Sequence, residues 1–230
     1  MSGGPSLHDA DWGGASFFRG AKVDRAIETE CGSDVVTQVS RGGRPAVFLD
    51  RDGTICEEMG YLNHISRLRI FPFAADAIAR LNRAGFPVIV ITNQSGVARG
   101  IFPESLVAEV HQVLAAKLGA AGARIDAFYY CPHLKQDGCN CRKPLPGLLE
   151  SAAQEHDLKL GSSVVVGDRY ADVAMAHTVG AAGILVKTGY GRGDLEYHGA
   201  QWPSQPDVIA ENLPEAVDWI LSRGARVGAP

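Results

Sequence analysis

No apolar run in the sequence approaches the roughly 20 residues needed to cross a bilayer, and residues 1–19 lack the basic start and apolar core of a secretory signal. Lys and Arg never gather into a run, and the formal net charge is -4, so the chain offers no electrostatic footprint for nucleic acid or a membrane surface. Any anionic ligand must therefore be met locally. These absences predict a soluble, cytoplasmic protein, with a monomer as the default state. Cysteine is scarce, five in 230 residues, yet Cys131, Cys139 and Cys141 fall within eleven residues beside His133, while Cys31 and Cys56 lie upstream. In a reducing compartment such clustering points to metal before disulfide.

The first 44 residues carry glycine pairs, scattered charge and no sustained period, and read as an irregular or disordered extension. Trp12, Phe17 and Phe18 stand out within it as aromatics that either dock on a surface or are tolerated in a tail. From residue 45 to about 225 the pattern is that of one domain. Ala46 to Leu49 forms a short apolar run ending abruptly in Asp50, the signature of a buried strand. Ala74, Ile78, Leu81 and Ala84 repeat at spacings of three and four before Gly85, which predicts a helix with a glycine cap.

Further strands are expected at 88–91, 125–130, 163–166 and 183–186, with helices opened by Pro103, over 146–156, over 169–179, and through Leu213, Val217, Ile220 and Leu221. Strand and helix alternate, and the strands are apolar throughout, so the predicted fold is α/β: a Rossmann-like parallel sheet flanked by helices. The segment between the first two strands leaves no room for a large cap domain. Ligands of such sheets sit beyond the carboxyl ends of the strands, where the sequence places Asp50, Thr92 and Asp168.

At that edge, Asp50-Arg51-Asp52-Gly53-Thr54 sets two carboxylates two residues apart at a strand end, with Gly53 permitting a tight turn. Alone, Asp-x-Asp-Gly is an ordinary surface turn or a calcium loop. A second acidic cluster, Gly167-Asp168-Arg169-Tyr170-Ala171-Asp172, follows another strand, so two loops converge on one divalent cation, and magnesium suits carboxylates that share it with a substrate phosphate. Asp172 is read here as local support in the first turn of a helix. Thr92-Asn93-Gln94-Ser95-Gly96 offers hydroxyl, amide and backbone donors for phosphate oxygens, and Arg142-Lys143-Pro144 supplies two cations. Cys131, His133, Cys139 and Cys141 make a closed set of soft ligands, the composition of a structural zinc site.

In order, these segments resemble the four motifs of haloacid dehalogenase-like phosphatases: Asp50-x-Asp52-Gly53-Thr54, Thr92, Lys143 and Gly167-Asp168. The resemblance implies a magnesium-dependent phosphoric monoester hydrolase. In it Asp50 attacks phosphorus to form an aspartyl-phosphate, Asp52 protonates the leaving alcohol, and Thr92 and Lys143 hold the phosphoryl group. Magnesium would be bound by Asp50, Asp168 and the Asp52 carbonyl. For Asp52 to act as an acid, a raised pKa is expected, from the Asp50 charge or from exclusion of water.

From Val47 to about Val186 the chain is similar to the heptose-1,7-bisphosphate 7-phosphatases, through Phe48 to Thr54, Gly60-Tyr61, Thr92 to Gly100 and Cys141 to Pro144. That resemblance implies a small phosphorylated sugar as partner, with C7 dephosphorylation and substrate contacts from Arg51, Glu58, Met59, Gly60, Tyr61, Asn93, Gln94, Ser95, Arg142 and Arg169. Histidinol-phosphate phosphatases share the same motifs, and the short spacing from His133 to Cys139 resembles theirs. A DNA-end phosphatase is disfavoured by the acidic balance, and a zinc-organised module without catalysis leaves the joint survival of all four motifs unexplained.

Overall fold

The computed structural model describes residues 18–20 and 43–227. A seven-stranded, wholly parallel sheet organises them in the order β1-β4-β3-β2-β5-β6-β7. The strands are β1 (Phe18–Gly20), β2 (Val47–Leu49), β3 (Val88–Asn93), β4 (Ala127–Cys131), β5 (Val164–Gly167), β6 (Ala182–Val186) and β7 (Val208–Ala210). Five α-helices connect successive strands from β2 to β7 and a sixth follows β7: α1 (Ala74–Arg83), α2 (Glu104–Ala120), α3 (Gly147–His156), α4 (Tyr170–Thr178), α5 (Gly191–His198) and α6 (Leu213–Val227).

Successive side chains of a strand point to opposite faces, so each apolar strand feeds two cores. Val47, Leu49, Val88, Val90 and Val166 pack with α1, α2 and α6 through Ile78, Leu81, Val110, Leu114 and Val217. Phe48, Ile89, Ile91 and Val165 turn the other way and meet Leu148, Leu149, Met175 and Ala176 of α3 and α4. This two-sided burial is why the strands carry apolar residues without alternation. α1 ends as its sequence requires, with Gly85 at φ +84° just beyond the last turn. Residues 50–73 hold loops and one 3₁₀ turn, Ile65–Arg67, and no inserted cap.

The structure adds elements that the sequence pattern does not reveal. Phe18–Gly20, placed within an irregular extension, pairs in parallel with β4 as the sheet edge. Trp12 and Phe17 lie outside the described residues. α5 and β7, between the last predicted strand and the last predicted helix, are also new. β2 sits at the centre, between β3 and β5, and the chain reverses its direction of winding there. Everything that follows β2, β3 and β5 thus converges on one crevice.

Candidate active site

Asp50 follows β2 directly, is 8% exposed, and receives the Arg51 N–H on Oδ1 at 2.7 Å. Lys143 reaches it from the loop after β4: Nζ stands 2.9 Å from Asp50 Oδ1, 2.6 Å from Asp172 Oδ1, and donates to the Ile91 carbonyl at 3.1 Å. Asn93 fixes the backbone of that lysine, accepting from its N–H at 3.2 Å and donating to its carbonyl at 3.4 Å. Thr92, at the end of β3, is buried; Gln94 Nε2 donates both to its Oγ1 and to Asp52 Oδ2, each at 2.9 Å. The threonine, lysine and both aspartates of the sequence motifs therefore meet at one strand-end cleft of about 420 Å³.

Asp168, at the end of β5, completes the group. Its Oδ2 accepts the Tyr190 N–H at 2.8 Å, and two glycines close around it. A Cβ at Gly53 (φ +82°) or at Gly189 (φ +55°) would lie 2.1 Å from that oxygen, so both conformation and space demand glycine. Asp50, Asp168 and Asp172 each offer a carboxylate oxygen, all within 4.8 Å of one another. Burial, then the charges of Asp50 and Asp172, push Asp168 up to about 8; burial, only partly offset by Lys143, pushes Asp50 up to about 7.

Four carboxylates thus face two side-chain cations: Lys143 serves Asp50 and Asp172, and Arg51 serves Asp52. Asp168 has no side-chain cation at ion-pair distance among the described residues, and Asp50, Asp168 and Asp172 together present the hard carboxylate oxygens that magnesium prefers. The residues fit the metal. Asp172, read as local support, does cap α4 by accepting the Arg169 N–H at 3.2 Å, but it also belongs to the cation cluster and steadies Lys143. Its pairing with a lysine 29 positions away has no trace in local sequence.

A pH-dependent test follows. Because Asp50 and Asp168 have folded-state pKa values above their unfolded ones, their contribution to the stability of the metal-free protein is lost as pH rises from about 4 to 8, where the native state must ionise them at a cost. Magnesium binds the ionised forms. Saturation at about 100 Kd contributes roughly 2.7 kcal/mol, or about 5–10 °C for a chain of this size. Differential scanning calorimetry with and without magnesium should show that gain at pH 8 and little of it at pH 5; equal shifts at both would refute the carboxylate cluster as the binding site.

The second metal-like cluster lies between β4 and Lys143. Cys131 Sγ stands 3.7 Å from Cys139 Sγ and 3.6 Å from His133 Nδ1, while Cys141 Sγ is 3.2 Å from Cys131 Sγ and from His133 Nδ1. A zinc ion with bonds of about 2.3 Å to sulfur sets tetrahedral S···S edges of roughly 3.8 Å, so this set of donors fits zinc with small outward shifts. Burial pushes the Cys131 and Cys141 thiols up, which leaves them protonated until a metal displaces the protons. Arg142 Nη1 donates to the His133 carbonyl at 3.0 Å, so the cluster also positions the residue that precedes Lys143.

Comparison with known proteins decides the family. The chain is 45% identical over 190 residues to the D-glycero-D-manno-heptose-1,7-bisphosphate 7-phosphatase of Thermosynechococcus vestitus, covering 78% of this chain and 96% of that one. The chain belongs to this phosphatase family. The Escherichia coli D-glycero-beta-D-manno-heptose-1,7-bisphosphate 7-phosphatase is 37% identical over 187 residues, covering 77% of this chain and 88% of the relative. A HAD-hydrolase-like family model matches residues 140–216. The crystal structure of the heptose bisphosphate phosphatase of Bordetella bronchiseptica, complexed with magnesium and phosphate, superposes with a TM-score of 0.71 at 35% identity, covering 78% of this chain and 99% of that one.

Within this family member, the residues expected to touch substrate divide. Glu58, Gly60, Tyr61, Asn93, Gln94, Ser95, Arg142 and Arg169 line the cleft. Arg51 does not: it is 1% exposed and clasps Asp52 through Nε at 3.1 Å and Nη2 at 2.6 Å. Met59 also lies outside the lining; its carbonyl accepts from Arg67 Nη2 at 3.2 Å. Arg99, Leu62 and Tyr190 join the lining instead. The expected direction for Asp52 is reversed as well. Burial opposes its ionisation, but Arg51 and the hydrogen bonds from Arg51, Gln94 and Cys56 prevail and hold its carboxyl below the usual range. With its side chain so occupied, only the Asp52 carbonyl is left for a metal.

A larger hollow of about 930 Å³ lies at the amino ends of the strands, between Arg44, Phe86 and Trp219. Its lining carries the His177–Asp207 pair, 3.1 Å apart, with Ser162 and Ser163, but neither of the metal-like clusters found among the described residues, and the four sequence motifs lie at the opposite edge.

Proposed function

We propose that this enzyme removes the C7 phosphate of D-glycero-D-manno-heptose 1,7-bisphosphate, giving heptose 1-phosphate and inorganic phosphate. The carrying observation is a buried carboxylate, Asp50, held at a strand end by a lysine and faced by an acid that a glutamine ties to Thr92. Asp50, Asp168 and Asp172, with the Asp52 carbonyl, are the groups that would hold magnesium, which when bound offsets the charge of both nucleophile and phosphate. Cys131, His133, Cys139 and Cys141 would hold zinc, whose part is to fold the loop that delivers Arg142 and Lys143.

In the first step, an Asp50 oxygen attacks phosphorus as the bond to the C7 oxygen breaks, and the departing electron pair takes a proton from Asp52. Thr92 Oγ1 and Lys143 Nζ offer the donors that hold the phosphoryl oxygens. Water then attacks phosphorus, Asp52 recovers the proton, and Asp50 leaves as a free carboxylate. Since Arg51 keeps Asp52 ionised in the free protein, the proton must be acquired with substrate. A phosphate beside the carboxylate favours that. Arg51 therefore sets the orientation of the acid, and the substrate sets its protonation.

The sister reading, histidinol-phosphate phosphatase, rests on the short zinc loop, and the relatives do not favour it. Phosphate release with magnesium should show kcat/KM for the heptose 1,7-bisphosphate at least about 100-fold above that for histidinol phosphate, about 2.7 kcal/mol in transition-state terms. A reversed preference would reject the heptose assignment.

A further inference from the structure

Beyond β6 the chain passes through Thr188, whose hydroxyl donates to the Gly53 carbonyl, into the turn Gly189-Tyr190-Gly191. That turn is filled to contact: a Cβ at Gly191 would lie 1.8 Å from the Val186 carbonyl oxygen, and one at Gly189 would strike Asp168. Tyr190, between them, is anchored at its backbone N–H by Asp168; the residue is 43% exposed and lines the cleft. The Arg169 guanidinium lies over this ring, with Cζ 4.1 Å from the centroid. Asp194 of α5 stands 3.7 Å from the same guanidinium.

Arg169 is otherwise uncommitted. Its side chain is 47% exposed, and its guanidinium makes no hydrogen bond among the described residues, so its fork of donors is available to a ligand. An exposed arginine ordinarily samples many rotamers; stacking on this ring removes much of that freedom beforehand. Lys143 Nζ stands 2.9 Å from Asp50, at the place of the phosphoryl group under attack, so a second anion on the same substrate needs another cation.

We propose that Tyr190 is the selectivity-setting positioning residue of this cleft, its ring holding Arg169 in the pose that receives the substrate's second anionic group. This rests on the sugar-bisphosphate reading above. A ligand with one phosphate, spent at Asp50, gains nothing from the arrangement, whereas a bisphosphate gains the arginine already oriented. The ring face matters rather than the hydroxyl, since no hydrogen bond is made through the Tyr190 oxygen among the described residues.

The test compares full-length magnesium-loaded enzyme with Tyr190→Leu and Tyr190→Phe. Heptose 1,7-bisphosphate and heptose 7-phosphate are each titrated as competitors of p-nitrophenyl phosphate hydrolysis, and the ratio of their inhibition constants is read. Tyr190→Leu should shrink the parent's preference for the bisphosphate about five- to tenfold, and Tyr190→Phe should keep it within about twofold. A ratio preserved in Leu, or lost equally in Phe, overturns the role of Tyr190 while leaving the substrate assignment intact. No preference in the parent itself would overturn the bisphosphate reading, and this proposal with it.

Discussion

An Asp50→Asn enzyme is expected to release phosphate at least about 10⁴-fold more slowly than the parent, the scale of loss when a covalent nucleophile is removed. The amide keeps the shape of the carboxylate but carries no charge with which to attack phosphorus. Folding failure can be separated from lost chemistry here, because the native state carries Asp50 at a cost: burial pushes its carboxyl up to about 7. At pH 8 without magnesium, the ionised group destabilises the fold, and Asn relieves that while Lys143 keeps its contact with Asp172. Asp50→Asn should therefore melt no lower than the parent in EDTA. Turnover within tenfold of the parent, with such a melting profile, would overturn the mechanism.

Removing metal from the cysteine loop should have the second largest effect. Zinc binding to such a ligand set contributes on the order of 10 kcal/mol, comparable with the whole stability of a domain. The sheet, however, has two cores of its own, built from β2, β3, β5 and their helices. The loss is therefore expected to fall on residues 131–145. Chelation, or Cys141→Ser, should lower Tm by about 5–10 °C, open the loop to proteolysis between 134 and 142, and cut activity at least 100-fold, since Lys143 follows Cys141 by two residues. Metal analysis should find one zinc per chain beforehand. A metal-free variant with parental activity and protease resistance would mean that packing alone holds the loop.

Much of this was legible from residue order. Apolar runs that stop at Asp50, Thr92 and Asp168 mark strand ends, and in a parallel sheet strand ends share an edge, so the crevice follows from pattern alone. The unread parts depend on distance in space. α5 has a single large aliphatic residue, Leu195, in eight, and β7 spans three residues, so neither shows a period. The reach of Lys143 to Asp172 and the platform under Arg169 join loops far apart in sequence. The glycines of Gly189-Tyr190-Gly191, two residues beyond an apolar strand, were the available signal for a fourth loop at the site. Arg51 shows why a motif residue can be misplaced: its spacing beside two aspartates suits a ligand contact, but the turn buries it against Asp52.

The central position of β2 also bears on how the molecule assembles. Asp50 and Asp168 approach each other only when β5 docks beside β2, a pairing that spans 117 residues from Val47 to Val164. β2 and β3, by contrast, join across a single helix. Of the described strand pairs, that of β2 with β5 spans the most chain, so the largest loop-closure entropy of the sheet falls on the pairing that also brings two carboxylates together. The crevice is thus built by the costliest chain closure in the sheet, and a divalent cation held there would offset the charge that this closure concentrates.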